Sequence, residues 1–520
     1  MKNKMRFLGL AVLAMAFMTL AGCQKEENIS GDGVHFTTTL KMASGGDKAL
    51  DASGHKTFAV GDQVAVIYKS TNSSAVQKAV SEPLTESDIR SNGKVANFRV
   101  KLLGPITTQP VTYIYPATMA KGDGTVNYDA LKAQDGTLAS LASNLDVCTF
   151  TGNWNGESLP SNATMTNQLA ICKFTINDWT SSVTKLTVKN GTDVYFVTPS
   201  SSLNEIWVAM KPVTSGNISI YAARGKALYT KTVSGKTLAA GKLYPVSVTT
   251  ELIPGALSGL FSVNASNDLV YFSQGNLQAT FDGSSWSWAF ATSQYDYVGD
   301  NTANTAIDEN GSVSIFGTVD LFGWSTNKTY YGIHNSINNT PYADSVFVDW
   351  GQNAISNGGN TANQWRTLSK DEWLYLFSSR NASTVAGITN ARNIKAQVNN
   401  IHGVILFPDS YIHPAGITAP TYVNRLDIQG GWDDNSYTTD QWMQMEEAGA
   451  VFLPAAGSRL GANVSNTNVW GFYWSSDYNN NATPKYSFAY QVDIRPSTFA
   501  AAQSVEVRYG KSVRLVHKDE

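Results

Sequence analysis

The chain has 520 residues, more than a single domain usually holds, which favours two to four domains. Hydrophobic residues make up 42% of it and charged residues only 15%, with a formal net charge of −3. Lysine and arginine form no cluster dense enough to follow a phosphate backbone, so we expect no nucleic-acid partner. Glycine, threonine, serine, asparagine and valine are frequent, which suits short strands joined by many turns.

Residues 1–22 have the layout of a secretory signal, with two lysines and an arginine, an apolar run and then small residues. The run is too short to be a membrane-spanning helix. It ends in LAGC at residues 20–23, which resembles the lipobox of bacterial lipoproteins. That resemblance implies cleavage before Cys23 and acylation of Cys23, palmitate included, which would anchor the protein in a membrane. A plain secreted protein that happens to have a cysteine here is the alternative.

A polar linker is predicted for residues 23–33. Its first residues resemble the acidic tag that directs some lipoproteins to the outer face of the outer membrane. These residues are Gln24, Lys25, Glu26 and Glu27. A solvated linker would have the same composition, so both interpretations stay open.

Short apolar stretches separated by turn signals follow the linker. The first, VHFTTTLK at residues 34–41, has a partly alternating β pattern. Such stretches, without any long helical period, predict two β-sandwich domains, at residues 34–180 and 181–250. ELIPGALS at residues 251–258 contains a Pro-Gly pair and is predicted to be a linker.

Two more cysteines, Cys148 and Cys172, lie in apolar segments that are predicted to be strands. An exported protein can form a disulfide between such residues. Two buried thiols would explain the same pattern, and the sequence leaves both possibilities open.

Several motifs in residues 34–250 resemble the fimbrillin (type V pilin) family. They are the early strand, FAVGDQVAVIY at 58–68, LAICKFTI at 169–176 and LAAGKLYPVSV at 238–248. The resemblance implies a lipoprotein with two transthyretin-like sandwich domains. It also implies that a trypsin-like protease cuts behind the first strand and releases it, and that a donor strand from another pilin subunit fills the groove.

Three lysines are candidates for this cut because they lie in or beside the Gly/Ser/Asp-rich loop after the first strand. They are Lys41, Lys48 and Lys56, and Lys48 is the best placed relative to the next strand. The alternative is that they are ordinary solvated loop charges. The protein would then stay anchored through Cys23.

The sequence changes character after residue 259, and we predict one C-terminal domain at residues 259–520. Ten of the thirteen tryptophans lie there, among long loops rich in Asn, Asp and Gly. SKDEWLYLFSSR at residues 369–380 predicts a helix, with Ser369 as N-cap and Glu372 completing a capping box.

A second helix is predicted for TTDQWMQMEEAG at residues 438–449. Thr439 or Asp440 would be its N-cap, and Gly449 would end it. Glu446 and Glu447 are predicted to lie on its solvated face. Two helices among antiparallel strands and long loops indicate an α+β domain rather than a sandwich.

The order of motifs in this half resembles the C-type-lectin-like fold, in the version shared with formylglycine-generating enzymes. The motifs are WRTLSKDEWLYLF at 365–377, AGAVFLPAAGSR at 448–459, GFYWSSDY at 471–478 and YGKSVRLV at 509–516. Those enzymes need active-site cysteines, and no cysteine follows Cys172, so their activity does not carry over. We therefore predict a domain that is not an enzyme and needs no cofactor.

Ligand contacts in this half are predicted from aromatic and acidic residues in polar loops. Exposed aromatic rings there would suit sugar stacking or a protein contact, and a pair of carboxylates would suit Ca²⁺ as a less favoured alternative. The candidates are Trp324, Trp350, Trp432, Asp433 and Asp434. The six histidines have no metal-ligand spacing, so no metal site is predicted.

Together these features predict a mostly β protein with two transthyretin-like sandwiches and a C-terminal α+β, C-type-lectin-like domain. The predicted function is that of a surface lipoprotein at the tip of a pilus, an adhesin of the cell outer membrane. It would accept a donor strand from another pilin subunit and bind a glycan or protein ligand. The alternatives are a surface enzyme acting on polysaccharide or protein through the C-terminal domain, and an anchor without a ligand.

Overall fold

The protein is mostly β, as predicted, and in the part of the chain that the structure describes its strands form seven hydrogen-bonded sheets. The computed structural model describes residues 33–42, 57–71, 73–104, 110–177, 183–201, 203–300, 304, 317–326, 333, 335–343, 346–428 and 431–518. They fall into two compact units. The first holds the described residues up to Lys41, Phe58–Val126 and Thr149–Met165, and the second holds Asn127–Cys148 and the chain from Thr166 onward. No helix in these ranges is long and apolar enough to cross a membrane.

The first unit is built on one eight-stranded sheet. Its strands are β1 (Val34–Met42), β2 (Ala65–Lys69), β3 (Val76–Val80), β4 (Ile89–Arg90), β5 (Val95–Leu102), β6 (Pro110–Tyr115), β8 (Cys148–Asn153) and β9 (Ala163–Asn167). The end residues of three of these strands, β1, β8 and β9, are assigned to the second unit. The short strand β7 (Ala133–Gln134) belongs to the second unit.

The eight strands follow the order β3-β2-β6-β8-β9-β1-β5-β4. The sheet curls back on itself, because the Glu82 amide just after β3 donates to the Arg99 carbonyl on β5. Phe58 lies inside the curl, and its ring meets Phe98 and Tyr115 edge-on, with centroids 5.3 and 5.1 Å away. This aromatic cluster forms the middle of the core.

The second unit includes part of the first predicted sandwich and the described residues of the second. Its strands there are β10 (Ala170–Ile176), β11 (Lys185–Asn190), β12 (Asp193–Val197), β13 (Ile206–Met210), β14 (Val213–Arg224), β15 (Ala227–Leu238) and β16 (Leu243–Val248). A three-residue helix, α1 (Leu138–Ser140), continues into one π-helical turn, Leu141–Leu145.

Strand β10 lies in this second unit, although the sequence placed its residues in the first sandwich, 34–180. It pairs antiparallel with β13 and parallel with β16, so that Ile171 lies opposite both Ala209 and Leu243. Both partners are distant along the chain. Composition and turn signals do not reveal such long-range pairing.

Residues 251–258, which were predicted to be a linker, lie within a strand, β17 (Glu251–Ser262). β17 pairs with β15 on one side and with β18 (Leu269–Ser273) on the other. The Pro254-Gly255 pair is typical of a turn, but the structure places it where the β15 pairing has a bulge, a position that tolerates both residues. The second sandwich and the C-terminal half therefore share one sheet.

That sheet has nine strands in the order β22-β32-β18-β17-β15-β14-β11-β12-β7. The remaining strands are β19 (Leu277–Phe281), β20 (Trp286–Phe290), β21 (Gly317–Val319), β22 (Trp365–Thr367), β23 (Asn393–Val398), β24 (Ile401–Leu406), β25 (Ser436–Tyr437), β26 (Val451–Pro454), β27 (Ser458–Leu460), β28 (Asn463–Ser465), β29 (Gly471–Tyr478), β30 (Phe488–Ile494), β31 (Phe499–Glu506) and β32 (Leu515–Lys518).

Two helices of the C-terminal half lie where the sequence predicts them. Helix α2 (Lys370–Leu374) is capped by Ser369 and Glu372 in the predicted capping box and continues as a π-helical turn, Tyr375–Ser379. Helix α3 (Thr439–Glu447) begins one residue earlier than expected, because Thr438, not Thr439 or Asp440, is its N-cap. The Thr438 hydroxyl accepts the Gln441 amide hydrogen, while the Gln441 side chain accepts from the Thr438 amide.

The two described cysteines are buried thiols, not a disulfide. Burial raises the pKa of Cys172 to about 12. The Cys148 thiol donates to the Asn167 side-chain oxygen at 2.9 Å. Of the two possibilities that the sequence leaves open, the structure therefore has the pair of core thiols, and Cys172 is too weakly acidic to be reactive.

We predict that Gly259→Ala destabilises the second unit. Gly259 on β17 lies against Gly449 at the end of α3, and a Cβ at residue 259 would overlap the Gly449 carbonyl oxygen. Neither backbone can move without disturbing the ladder or the helix end, so we expect a loss of about 2 kcal/mol or more. Urea unfolding followed by tryptophan fluorescence measures the loss. Gly122→Ala is the control, because a Cβ there meets nothing within 4 Å, and equal stability of the two variants would contradict the prediction.

Candidate functional site

Strand β1 lies in the interior of the first unit's sheet, between β9 and β5. It runs antiparallel to β5 from the Val34–Leu102 pair to the Lys41–Val95 pair without a bulge. On the β9 side, the Thr39 amide donates to the Ser161 hydroxyl at 3.1 Å. An interior strand satisfies the backbone groups of both neighbours, so its position decides whether β5 and β9 have partners.

The side chains of β1 alternate between the core and the solvent. Thr38 and Leu40 are fully buried, whereas Thr37 is exposed. The half-buried ring of Phe36 meets Trp154 edge-on, with centroids 5.3 Å apart. The residues along one face of β1 thus fill a row of positions in the core, as the alternating sequence predicts.

A polar contact fixes the middle of β1. The Thr38 hydroxyl donates to the Pro160 carbonyl at 2.7 Å, and the Tyr113 hydroxyl donates to the same oxygen at 2.7 Å. Burial raises the pKa of Tyr113 to about 12, so the phenol stays protonated and keeps donating. A buried hydroxyl without such an acceptor would cost roughly 1–3 kcal/mol, so this contact makes threonine acceptable at a core position. Sequence reasoning missed Pro160 and Tyr113, since neither has a local signal.

Of the three candidate cleavage lysines, the structure describes Lys41 only. Lys41 is half-buried and pairs with Val95 inside the β1–β5 ladder. A protease needs an extended, accessible segment, so Lys41 is poorly placed for cleavage in the folded chain. Lys48 and Lys56 lie outside the described residues, as do Cys23, Gln24, Lys25, Glu26 and Glu27.

Trp324 and Trp350, predicted to be exposed loop aromatics, are in fact buried. Their exposed fractions are 1% and 0%. The Trp324 indole donates to the Ser475 carbonyl at 2.9 Å, and its ring lies 5.1 Å from Phe347. The prediction was wrong because it took polar neighbours in the sequence as a sign of exposure. Polar residues beside a tryptophan can form hydrogen bonds with nearby backbone groups while the indole ring itself is buried. Asp349, for example, accepts the amide hydrogen of Gly351.

Trp432 is also buried, at 7% exposure, but its neighbours are polar. Its ring stacks on His402 with 5.5 Å between centroids and 3° between planes, and the Lys395 ammonium lies 5.7 Å from the ring. Burial lowers the pKa of Lys395 to about 8. Asp433 is exposed and places a carboxylate oxygen 3.6 Å from His402 Nε2. Trp432 and Asp433 therefore lie close together, but the buried indole face is taken by histidine.

The calcium alternative receives no support from the geometry. Asp433 and Asp434 are both exposed. In the ranges that the structure describes, no three His, Cys, Asp or Glu side chains come together as metal ligands would. Glu446, predicted to be solvated, is 5% exposed and accepts from Gln294 Nε2 at 3.0 Å, so that prediction was wrong as well.

No family model and no curated protein matches the chain. Among solved structures, it is similar to a fimbrial assembly protein from Parabacteroides distasonis, at 10% identity and a TM-score of 0.26, over 46% of this chain and 96% of that one. It is also similar to the tip fimbrial protein Mfa3 from Porphyromonas gingivalis with C-terminal truncation, at 10% identity and a TM-score of 0.22. That alignment covers 42% of this chain and 95% of the other.

We predict that Leu40→Ala weakens the attachment of β1 by about 2–5 kcal/mol, because it removes a fully buried side chain from the core. Hydrogen exchange of those amides within β5, residues 95–102, that donate to β1 reports the loss, since β5 pairs with β1 along its length. Thr37→Ala, an exposed position on the same strand, is the matched control and should change exchange by less than about 0.5 kcal/mol. Equal exchange in the two variants would show that β1 is not held by its buried face.

Proposed function

We propose that this protein is a surface-exposed lipoprotein subunit of a pilus that accepts a donor strand in place of β1 and acts as an adhesin at the fibre tip. The observation that carries the proposal is the interior position of β1, with Thr38 and Leu40 buried in the core. The motifs that resemble the fimbrillin family supply the context for it.

Release of β1 would leave a strand-shaped gap. β5 would lose its partner from Leu102 to Val95, and the core would lose the side chains of Thr38 and Leu40. An added strand could restore the backbone hydrogen bonds with any sequence, whereas the pockets for alternate side chains would select the sequence that fits. Unpaired backbone groups in a core are costly, so the gap would favour rapid capture of a replacement strand.

The tip position is supported by the path of the chain beyond the second sandwich. Strand β16 closes that sandwich and leads directly into β17, which pairs with β15 and β18. A strand can be donated only if it can leave its own subunit. Withdrawal of β16 would pull on β17 and break the nine-stranded sheet, so the second sandwich is poorly suited to donate a strand, and the protein would act as an acceptor through the place of β1.

The remaining parts of the proposal come from the sequence. Acylated Cys23 would hold the protein in the outer membrane, and residues 24–27 would direct it to the outer face, where pili assemble. The C-terminal half, with its proposed C-type-lectin-like organisation, would meet a glycan or protein ligand. Binding is proposed here and not catalysis, because the cysteines that formylglycine-generating enzymes need do not occur after Cys172.

The first test is the N-terminus of the native surface protein, determined by intact mass and N-terminal sequencing. We expect a mature form that begins after Lys48 or Lys56. The double variant Lys48→Gln/Lys56→Gln should stay at acylated Cys23 and should be missing from isolated fibres. Lys41→Gln is the control, and it should mature normally, because Lys41 is held in the β1–β5 ladder.

A second test uses purified protein clipped behind β1 by a trypsin-like protease. A fluorescent peptide with the sequence of residues 34–42 should exchange with the clipped strand and bind. The same peptide with Leu40→Asp should bind at least about 100-fold more weakly, because it would bury a carboxylate in the core. If the clipped protein captures neither peptide, or both equally well, strand replacement is contradicted.

A further inference from the structure

A half-open cavity of about 440 Å³ lies on one face of the nine-stranded sheet, in the second unit. Its lining comes from strands β14, β15, β17, β18 and β32 and from the loop before β22. Four of the residues that line it are Tyr221, Ile253, Tyr271 and His517. The volume is within the range of roughly 300–1,000 Å³ found for small-molecule sites.

The cavity lies beside an irregular part of β17. Leu252 lies opposite Tyr229 and Leu257 opposite Ala227, so the register with β15 shifts by a bulge between these pairs. A second bulge interrupts the pairing of β17 with β18 between Ala256 and Leu260. Bulges of this kind occur often beside functional sites, where they re-aim side chains. Here Ile253 and Pro254 are diverted from the ladder and line the cavity.

The buried side of the cavity is aromatic. Tyr221 and Tyr271 line it and are each only 3% exposed. The Tyr271 ring stacks on His517 with 5.0 Å between centroids, and its hydroxyl lies 2.8 Å from His517 Nδ1. These rings are therefore held in one orientation before any ligand arrives.

The rim of the cavity is polar and carries no net charge. Lys231 and Glu251 form an ion pair of 2.9 Å across β15 and β17, so one positive and one negative group cancel. Gln364 also lines the cavity, and its side-chain amide has no hydrogen-bond partner in the described part of the chain. An amide offers both donors and an acceptor, which suits a ligand with many hydroxyl groups.

We propose that this cavity binds one or two sugar units of a neutral glycan. Hydroxyl groups can pair with the Gln364 amide and with the Lys231–Glu251 pair, while the exposed side chains of Leu252 and Pro254 accept the less polar face of a sugar ring. The absence of net charge disfavours anionic and cationic ligands alike. The inference deepens the proposed adhesin role and rests on it. It also replaces Trp324 and Trp350, which are buried, as the expected sugar contacts.

The test uses the full chain and saturation-transfer NMR with four neutral disaccharides: lactose, maltose, cellobiose and diacetylchitobiose. Digalacturonate is the charged probe. We expect at least one neutral disaccharide to bind with a Kd below about 10 mM, and digalacturonate to bind at least tenfold more weakly. Gln364→Ala should weaken that binding at least fivefold.

Two further variants keep the test decisive. Gln503→Ala removes an exposed glutamine on β31, outside the cavity, and should leave Kd unchanged. Thr232→Trp places a large side chain at an exposed position of the cavity and should abolish binding without removing Gln364. Circular dichroism of each variant checks that the fold is intact.

The proposal is overturned if no neutral disaccharide binds, if digalacturonate binds best, or if Gln364→Ala and Thr232→Trp bind like Gln503→Ala. These failures are distinct from failure of the pilus role. In any of them, the clipped protein could still capture the peptide of residues 34–42, which depends on the first unit alone.

Discussion

The pairing of β17 with β15 on one side and β18 on the other is the constraint on which the second unit depends. It makes the second sandwich and the C-terminal half one hydrogen-bonded sheet. Side chains reinforce it at the end of α3, where Lys185 Nζ donates to the Ala448 carbonyl at 3.0 Å and Lys226 lies 3.2 Å from the Glu446 carboxylate. Cations near a helix C-terminus are stabilising, so the sandwich also supports the helix. The C-terminal half is thus not a head on a flexible tether.

The sequence predicted those elements that depend on interactions between residues a few positions apart. The capping box of Ser369 and Glu372 and the glycine that follows α3 each involve residues a few positions apart, and both were predicted correctly. Strand β17 was missed for the opposite reason. Pro254-Gly255 is a turn signal in isolation, and only β15 and β18 make it part of a ladder. The burial of Trp324 was also missed because it depends on non-local contacts. Its partner Ser475 is distant in the sequence, and Phe347 lies in another loop.

The sequence predicted strand β1 and its buried face, but not its position in the sheet. The alternating pattern of residues 34–41 indicates a strand with one buried face, and β1 confirms it. The pattern does not show that β1 lies between β9 and β5, nor that the buried Thr38 hydroxyl has the Pro160 carbonyl as acceptor. If β1 is replaced as proposed, those two facts would set what a replacement strand must offer. Most of its attachment would come from the backbone and be indifferent to sequence, so specificity would depend on a few side chains such as those at positions 38 and 40.

The irregular part of β17 connects the wrong linker prediction to function. A regular strand at residues 252–257 would pair fully with β15, and the sheet would have no opening there. The bulges give up some ladder hydrogen bonds, while the Gly255 carbonyl recovers one from the Gln274 amide. Functional sites are expected where the local sequence pattern and the overall fold disagree. An irregular strand loses hydrogen bonds, and such a loss is retained where the irregularity serves a function. Residues 251–258, which resemble a linker in sequence, therefore join the two parts of the second unit into one sheet and also line the cavity in it.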